Sequence, residues 1–194
     1  MNLTYLLTAL LSFVAALTLS GAAHAALITG TAGSNTVTDY SAAGVVSFDL
    51  DLHDFSATTL NIVLEAGDLQ GPLRFNALVR NLAGADLSRF TFSLQGIGFA
   101  GAGTVTPTFG TLGGVGISAS AAGISFATPE WAEFQFGDVL GGAGQLDWLL
   151  ATAGLRAGDS FTITATVPEP STSALLLTML CMAGLFAARR RRQD

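Results

Sequence analysis

Residues 46–53 read VSFDLDLH, and their apolar and polar side chains alternate strictly. Valine, phenylalanine and leucine occupy the even positions, whereas serine, aspartate and histidine occupy the odd ones. Since successive side chains of a β-strand point to opposite faces of a sheet, this alternation predicts a half-buried strand. The same period of two identifies further strands along the chain.

Five other segments repeat the alternation, and glycine-containing turns separate most of them. These segments are residues 60–64, 73–80, 90–94, 133–136 and 161–167. Short strands at this spacing, without long amphipathic helices, predict an all-β domain built as an antiparallel, jelly-roll-like β-sandwich. A helical turn or two is expected within residues 144–155.

Residues 95–128 are the least regular part of the predicted domain, with eight glycines in the stretch from Gly96 to Gly116. We expect a long excursion that contains two weak strands, at 115–118 and 124–127. Long loops in compact domains often carry function, so a binding loop is one interpretation. A plain surface loop is the other.

The charge of the domain limits its partners. Residues 26–167 carry twelve acidic side chains and four arginines, which gives a net charge of −8, and the chain has no lysine. Such a surface repels phosphate backbones, so nucleic-acid binding is not expected. The segment also lacks cysteine. An exported domain without disulfides must fold by packing alone, which favours a substantial β core.

The sharpest polar cluster is Asp49, Asp51, His53 and Asp54. Carboxylates at positions i and i+2 of a strand share a face, so Asp49, Asp51 and Asp54 are candidate ligands for calcium. Alternatively, these residues form the solvated face of an edge strand, where charge discourages pairing with other molecules.

The residues give little support to catalysis. Gly96, Gly98 and Gly101 match a dinucleotide-binding fingerprint, but no helix is predicted to follow them and no cofactor is expected. His53 is the single histidine of the domain, and no motif supplies a nucleophile for it. We therefore expect no enzyme. Trp131 and Trp148 are candidate stacking platforms for sugars, although tryptophan in a sandwich more often packs in the core or at its rim.

The C-terminus carries a different kind of signal. Pro168-Glu169-Pro170 forms a stiff, extended stalk, because proline restricts its own backbone and that of the preceding residue. Residues 171–188 contain no charged side chain. As a helix, this stretch would be roughly 27 Å long, close to the thickness of a bilayer core of about 30 Å. Four arginines follow it, and they would hold the C-terminus on the cytoplasmic side. They are Arg189, Arg190, Arg191 and Arg192.

This order of motif, apolar stretch and arginine cluster in residues 167–194 resembles the PEP-CTERM sorting signal of Gram-negative bacteria. The resemblance implies recognition of residues 168–194 by an exosortase, a membrane-embedded cysteine protease or transpeptidase. It also implies a link to exopolysaccharide and biofilm. The chain would then be the substrate of the exosortase, and its transmembrane helix (171–188) would be either removed or retained as a single span.

The N-terminus predicts the same topology. Residues 1–25 resemble a secretory signal peptide, with an apolar core at 6–19 and the small residues Ala23 and Ala25 before a cleavage site at Ala26. The alternative is an N-terminal anchor that is retained. Together the two ends predict a precursor that spans the inner membrane and a domain at 26–167 that reaches the cell surface or extracellular matrix. The expected function is that of a non-enzymatic exported protein. The alternatives are an extracellular carbohydrate-binding module and, with less support, a secreted hydrolase.

Overall fold

The structure, a computed structural model, describes residues 26–168, and within them it is almost entirely β. The predicted signal peptide (1–25) and the predicted transmembrane helix (171–188) lie outside the described residues. Within residues 26–168 no helix is long and apolar enough to cross a membrane. Among the described residues, one short 3₁₀-helix, η1, covers Ala66–Leu69, and thirteen strands make up the rest of the regular structure.

The strands follow one another along the chain with short connections. They are β1 (Leu27–Ala32), β2 (Thr36–Asp39), β3 (Val45–Leu52), β4 (Thr58–Val63), β5 (Leu73–Asn81), β6 (Leu87–Gln95), β7 (Phe99–Gly101), β8 (Val105–Pro107), β9 (Thr111–Ile117), β10 (Ala121–Glu130), β11 (Glu133–Phe136), β12 (Trp148–Leu150) and β13 (Ser160–Thr166). The six strands predicted from alternation are confirmed as β3, β4, β5, β6, β11 and β13.

These strands form two sheets. Sheet A has the order β1-β4-β13-β6-β10-β9, and all its neighbours are antiparallel. Sheet B has the order β2-β3-β5-β11-β8, with β12 pairing to β5 and β7. In sheet B, β3 and β5 run parallel, with Asp51 opposite Arg80. The expectation of a purely antiparallel, jelly-roll-like arrangement is therefore wrong at this pair. The intervening β4 lies in sheet A and reverses the chain, so that β5 returns to sheet B in the direction of β3.

The two sheets share one hydrophobic core, which contains most of the phenylalanines. Phe92 of sheet A contacts Phe48 and Phe136 of sheet B, with ring centroids 6.1 and 4.8 Å apart. Phe90 of sheet A contacts Phe134 of sheet B at 5.2 Å. All five side chains are fully buried. Every second side chain along these strands thus points to the inner face that the two sheets share.

Two expectations for irregular regions are corrected. The predicted helical turns at 144–155 are absent from the described residues, because Trp148–Leu150 forms β12 against β5 and its flanks form turns. The glycine-rich region is mostly strand: β9 and β10 pair as a hairpin at one edge of sheet A, with Val115 opposite Ile124. Glycines without side chains weaken the alternation of β9, which explains why its extent was underestimated.

Candidate functional site

The described residues end at the junction between the domain and its C-terminal tail. β13 lies in the middle of sheet A, between β4 and β6. After β13, the side chain of Val167 is buried and that of Pro168 is exposed. Of the predicted signal-peptide cleavage site, Ala26 is described and is buried, whereas Ala23 and Ala25 lie outside the described residues.

The rest of the predicted sorting signal lies outside the described residues, so its placement stays a prediction. This part comprises residues 169–194, which include Glu169, Pro170, the apolar stretch 171–188, Arg189, Arg190, Arg191 and Arg192. Pro168 is thus the one residue of the signal whose surroundings the structure describes.

Pro168 borders a shallow depression of about 490 Å³ on the outer face of sheet A. Its floor is formed by Gly114, Gly116 and Gly123, which leave the backbone of β9 and β10 uncovered. Arg89 lines the depression and is exposed, and no ion pair links it to another described residue. Pro168 therefore lies beside an open part of the sheet that carries one exposed arginine.

The candidate calcium ligands are not brought together. Asp49 and Asp51 share the outer face of sheet B, as expected, but both hold the guanidinium of Arg80: its Nη1 lies 2.7 Å from Asp51 Oδ1, and its Nη2 bonds Asp49 Oδ2. Partial burial by itself would lower the pKa of Arg80. The negative charges of Asp49 and Asp51 have the larger effect and raise this pKa. The guanidinium of Arg80 thus provides the positive charge between these two carboxylates that a calcium ion was expected to provide.

Asp54 lies apart from this pair, in the loop after β3. Its carboxylate accepts hydrogen bonds from the hydroxyls of Ser34 (2.6 Å) and Ser56, and these bonds lower the pKa of Asp54. His53 contacts Thr36 Oγ1 at 3.1 Å instead. Among residues 26–168, no group of three histidine, cysteine or acidic side chains is placed to hold a metal ion.

We expect Arg80→Gln to lower the unfolding free energy by about 1–2 kcal/mol, because it leaves two neighbouring carboxylates without their counter-ion. Urea unfolding followed by tryptophan emission measures this. Arg74→Gln is the matched control, since Arg74 is largely exposed and lies 3.8 Å from Asp147, and it should change the value little. Equal losses in both variants would contradict the structural role assigned to Arg80.

The two tryptophans have different environments. Trp148 is fully buried and stacks on Phe136, with centroids 4.3 Å apart and planes 7° apart. Its indole N–H donates to the carbonyl oxygen of Thr104 at 3.3 Å. It is therefore a core residue and offers no platform for a ligand. Trp131 is 52% exposed and remains a candidate stacking platform for a sugar.

A buried glutamate holds the backbone next to Trp131, and sequence reasoning missed it. Glu130 is fully buried at the end of β10. Five backbone N–H groups donate to its carboxylate: those of Thr108 (2.9 Å), Phe109 (2.9 Å) and Gly110 (2.8 Å) to Oε2, and those of Trp131 (3.0 Å) and Ala132 (3.0 Å) to Oε1. One side chain thus joins two loops that are about twenty residues apart in sequence.

Burial by itself would raise the pKa of Glu130, but the backbone donors outweigh it and lower the pKa below its usual value near 4.5. Gly110 permits the close approach, since a Cβ at this position would lie 2.9 Å from the carbonyl oxygen of Thr128. A signal was present in the sequence: Glu130 is in phase with the inward positions Ala122, Ile124 and Phe126.

Both loops held by Glu130 expose a large aromatic side chain, Phe109 (73% exposed) and Trp131 (52% exposed). The loop 82–86 joins them, because Asn81 at its start donates from its amide nitrogen to the carbonyl oxygens of Ala85 (2.7 Å) and Glu130 (3.1 Å). That loop exposes Leu82 (53%). The three loops 82–86, 108–110 and 131–132 form what we call the tail end of the domain.

The tail end is also the end at which the chain leaves the fold. In sheet A, Thr166 lies opposite Thr91, and β6 runs antiparallel to β13. Pro168 is therefore level with Arg89, and Leu87, opposite Glu130, lies two residues farther in the same direction. The exposed aromatic side chains and the exit of the tail thus lie at one end of the two sheets.

Comparisons with known proteins bear on the tail rather than on the domain. The family model described as "PEP-CTERM protein-sorting motif" matches residues 166–192. Comparison with curated proteins found no match, and comparison with solved structures found none either. The match begins at the last residue of β13 and includes all three parts of the predicted signal. The chain carries a PEP-CTERM protein-sorting motif, which indicates an exported protein that an exosortase sorts.

Proposed function

We propose that the chain is a non-enzymatic surface or extracellular-matrix protein whose tail is processed by an exosortase during export. In this proposal the precursor spans the inner membrane once through residues 171–188. The domain at 26–167 is the exported part. It serves a bacterium that produces exopolysaccharide and biofilm.

The main support is the position of the motif relative to the fold. β13 is an inner strand of sheet A, and its last residue, Thr166, is paired with Thr91 of β6 and is therefore fixed in the sheet. The motif begins at this residue. An exosortase would therefore meet the proline-glutamate-proline segment directly after a folded strand, with no linker between them.

The alternatives have less support. A carbohydrate-binding role depends on the two tryptophans and on the glycine-rich region, and the burial of Trp148 removes one of the tryptophans. For a hydrolase, the described residues offer His53 in contact with Thr36 and a glutamate that is enclosed by backbone donors. The carboxylate of Glu130 is buried and occupied by backbone donors, and His53, although exposed, contacts a threonine hydroxyl rather than a carboxylate that could orient it for catalysis.

Intact mass spectrometry tests the proposal. We expect the chain from a host with active exosortase to begin at Ala26 and to lack the arginine cluster at 189–192. The chain from the same host without exosortase should retain the arginines. Alanine at positions 168–170 together should block processing, because the stiff recognition segment is lost.

The matched control is Pro72→Ala, which removes an exposed proline outside the motif and should be processed like the natural chain. A mature species that keeps the arginine cluster in the presence of active exosortase would contradict the processing step. Processing of the 168–170 alanine variant would contradict the assignment of the recognition segment.

A further inference from the structure

We propose that the tail end of the domain rests on the membrane surface while the precursor is anchored, with Leu82, Phe109 and Trp131 in the lipid interface. This inference rests on the proposed function, because it requires residues 171–188 to span the bilayer. It assigns a role to three exposed apolar side chains that neither the core nor the sorting motif explains.

The short segment between the domain and the apolar stretch limits how far the domain can lie from the membrane. From Pro168 to Ser171, where the uncharged stretch begins, there are three residues, which span at most about 10 Å. Leu87 and Glu130 lie two residues beyond the level of Pro168, and two strand residues correspond to about 7 Å. The loops of the tail end continue in that direction. The domain is therefore held within a few ångströms of the polar interface, which is itself several ångströms thick on each side.

The side chains at this end suit such an interface. Tryptophan partitions into the headgroup region, where its apolar ring and its polar N–H are both accommodated, and phenylalanine and leucine bury at the boundary with the acyl chains. Glu130 fixes the backbone of Phe109 and Trp131 through five hydrogen bonds, so that both rings project from a rigid base. Little conformational entropy is lost when a preorganised surface binds.

Charge does not drive this contact. Asp54 and Asp86 are exposed on loops at the same end and outnumber Arg89, which is exposed at the level of Pro168, so an anionic bilayer would not attract this end by charge. The attraction is therefore apolar, and it should persist at high salt, unlike the binding of a basic patch. The short tether supplies the high local concentration that three side chains alone would not.

The test uses the full chain, reconstituted in vesicles of phosphatidylethanolamine and phosphatidylglycerol that carry bromine near the top of the acyl chains. Bromine quenches only nearby indoles. We expect most of the emission of Trp131 to be lost relative to unbrominated vesicles, at low and at high salt. Trp131→Phe should leave only the emission of the buried Trp148, which should not change.

Two double variants of exposed side chains test the same site, and their comparison distinguishes a lost membrane contact from a folding defect. Leu82→Ser with Phe109→Ser removes two exposed contacts and should reduce the quenching of Trp131. Leu140→Ser with Leu146→Ser is the control, because both leucines are exposed (69% and 64%) in the segment between β11 and β12, away from the tail end. Equal reductions in both pairs would contradict the proposed site.

Flotation separates this inference from the proposed function. A chain that does not float with the vesicles contradicts the spanning step of the proposed function, and the inference falls with it. A chain that floats while Trp131 stays unquenched contradicts this inference alone. If Trp131 is unquenched by lipid and its emission instead shifts when exopolysaccharide is added, the tail end is a sugar-binding surface and the lipid assignment is wrong.

Discussion

Glu130→Gln is expected to lower the unfolding free energy of the domain by about 3 kcal/mol and its melting midpoint by roughly 10 °C. An amide can direct its oxygen towards the three donors at Oε2 or towards the two at Oε1, but not towards both. Its NH₂ group then faces at least two backbone N–H groups that have no acceptor. Each buried donor left in this way costs about 1–3 kcal/mol. Urea unfolding and thermal melting followed by the emission of Trp148 measure the loss.

The same residue predicts a pH dependence with a definite sign. Since folding lowers the pKa of Glu130, its contribution is complete above the pKa of the unfolded chain, near 4.5, and is lost as the pH falls through the lower pKa of the folded state. The difference in stability between the natural chain and Glu130→Gln should therefore be largest at neutral pH. It should shrink below pH 4.5. A difference that grows on acidification would contradict the ionised state of Glu130.

Glu133→Gln is the matched control for both measurements. Glu133 lies three residues farther along, its side chain is 37% exposed, and its carboxylate is 3.9 Å from Arg80 Nε. Such a weak, solvated ion pair contributes little, so this variant should melt close to the natural chain. A loss in Glu133→Gln as large as that in Glu130→Gln would show that charge in this region matters, rather than the hydrogen bonds that surround Glu130.

Alternation along the chain was enough to predict six strands, because burial on one face of a sheet imposes a period of two on the sequence. It could not predict which strands are neighbours. The parallel pairing of β3 with β5 depends on β4 lying in the other sheet, which is a long-range choice. Only the end of β9 was predicted, at 115–118, because three of its seven residues are glycine and carry no side chain to alternate.

The candidate sites show the same division between local and long-range information. Asp49 and Asp51 were correctly placed on one face, but their partner Arg80 comes from a different strand through the parallel register. The two tryptophans differ in solvent exposure, which the sequence did not predict, because exposure depends on packing rather than on residue type. Glu130 was recognisable as an acid at an inward position. Its five donors come from two loops whose approach no local pattern contains. The sorting motif was readable because its three parts are adjacent in sequence.

Phe92→Ala is expected to have the largest effect of all, a loss of about 3–5 kcal/mol in unfolding free energy. Phe92 is fully buried and connects the two sheets at the centre of the core. Its ring lies 5.2 Å from that of Phe75 and 4.8 Å from those of Phe90 and Phe136, mostly in edge-to-face geometry. Alanine removes these contacts and leaves a cavity that the surrounding strands cannot fill. Chemical unfolding of the full chain, followed by tryptophan emission, provides the measurement.

Phe109→Ala is the control for Phe92→Ala, because it removes the same aromatic ring from a position that is 73% exposed. The difference between the two variants therefore measures the effect of burial. The hydrogen bond from the Phe109 backbone to Glu130 is kept, so the change in stability should stay within about 0.5 kcal/mol. If Phe92→Ala cost no more than Phe109→Ala, the two sheets could not share the core described here. If only Phe92→Ala is destabilised, the domain is held together by its aromatic core, and the exposed ring of Phe109 is free to act at the surface.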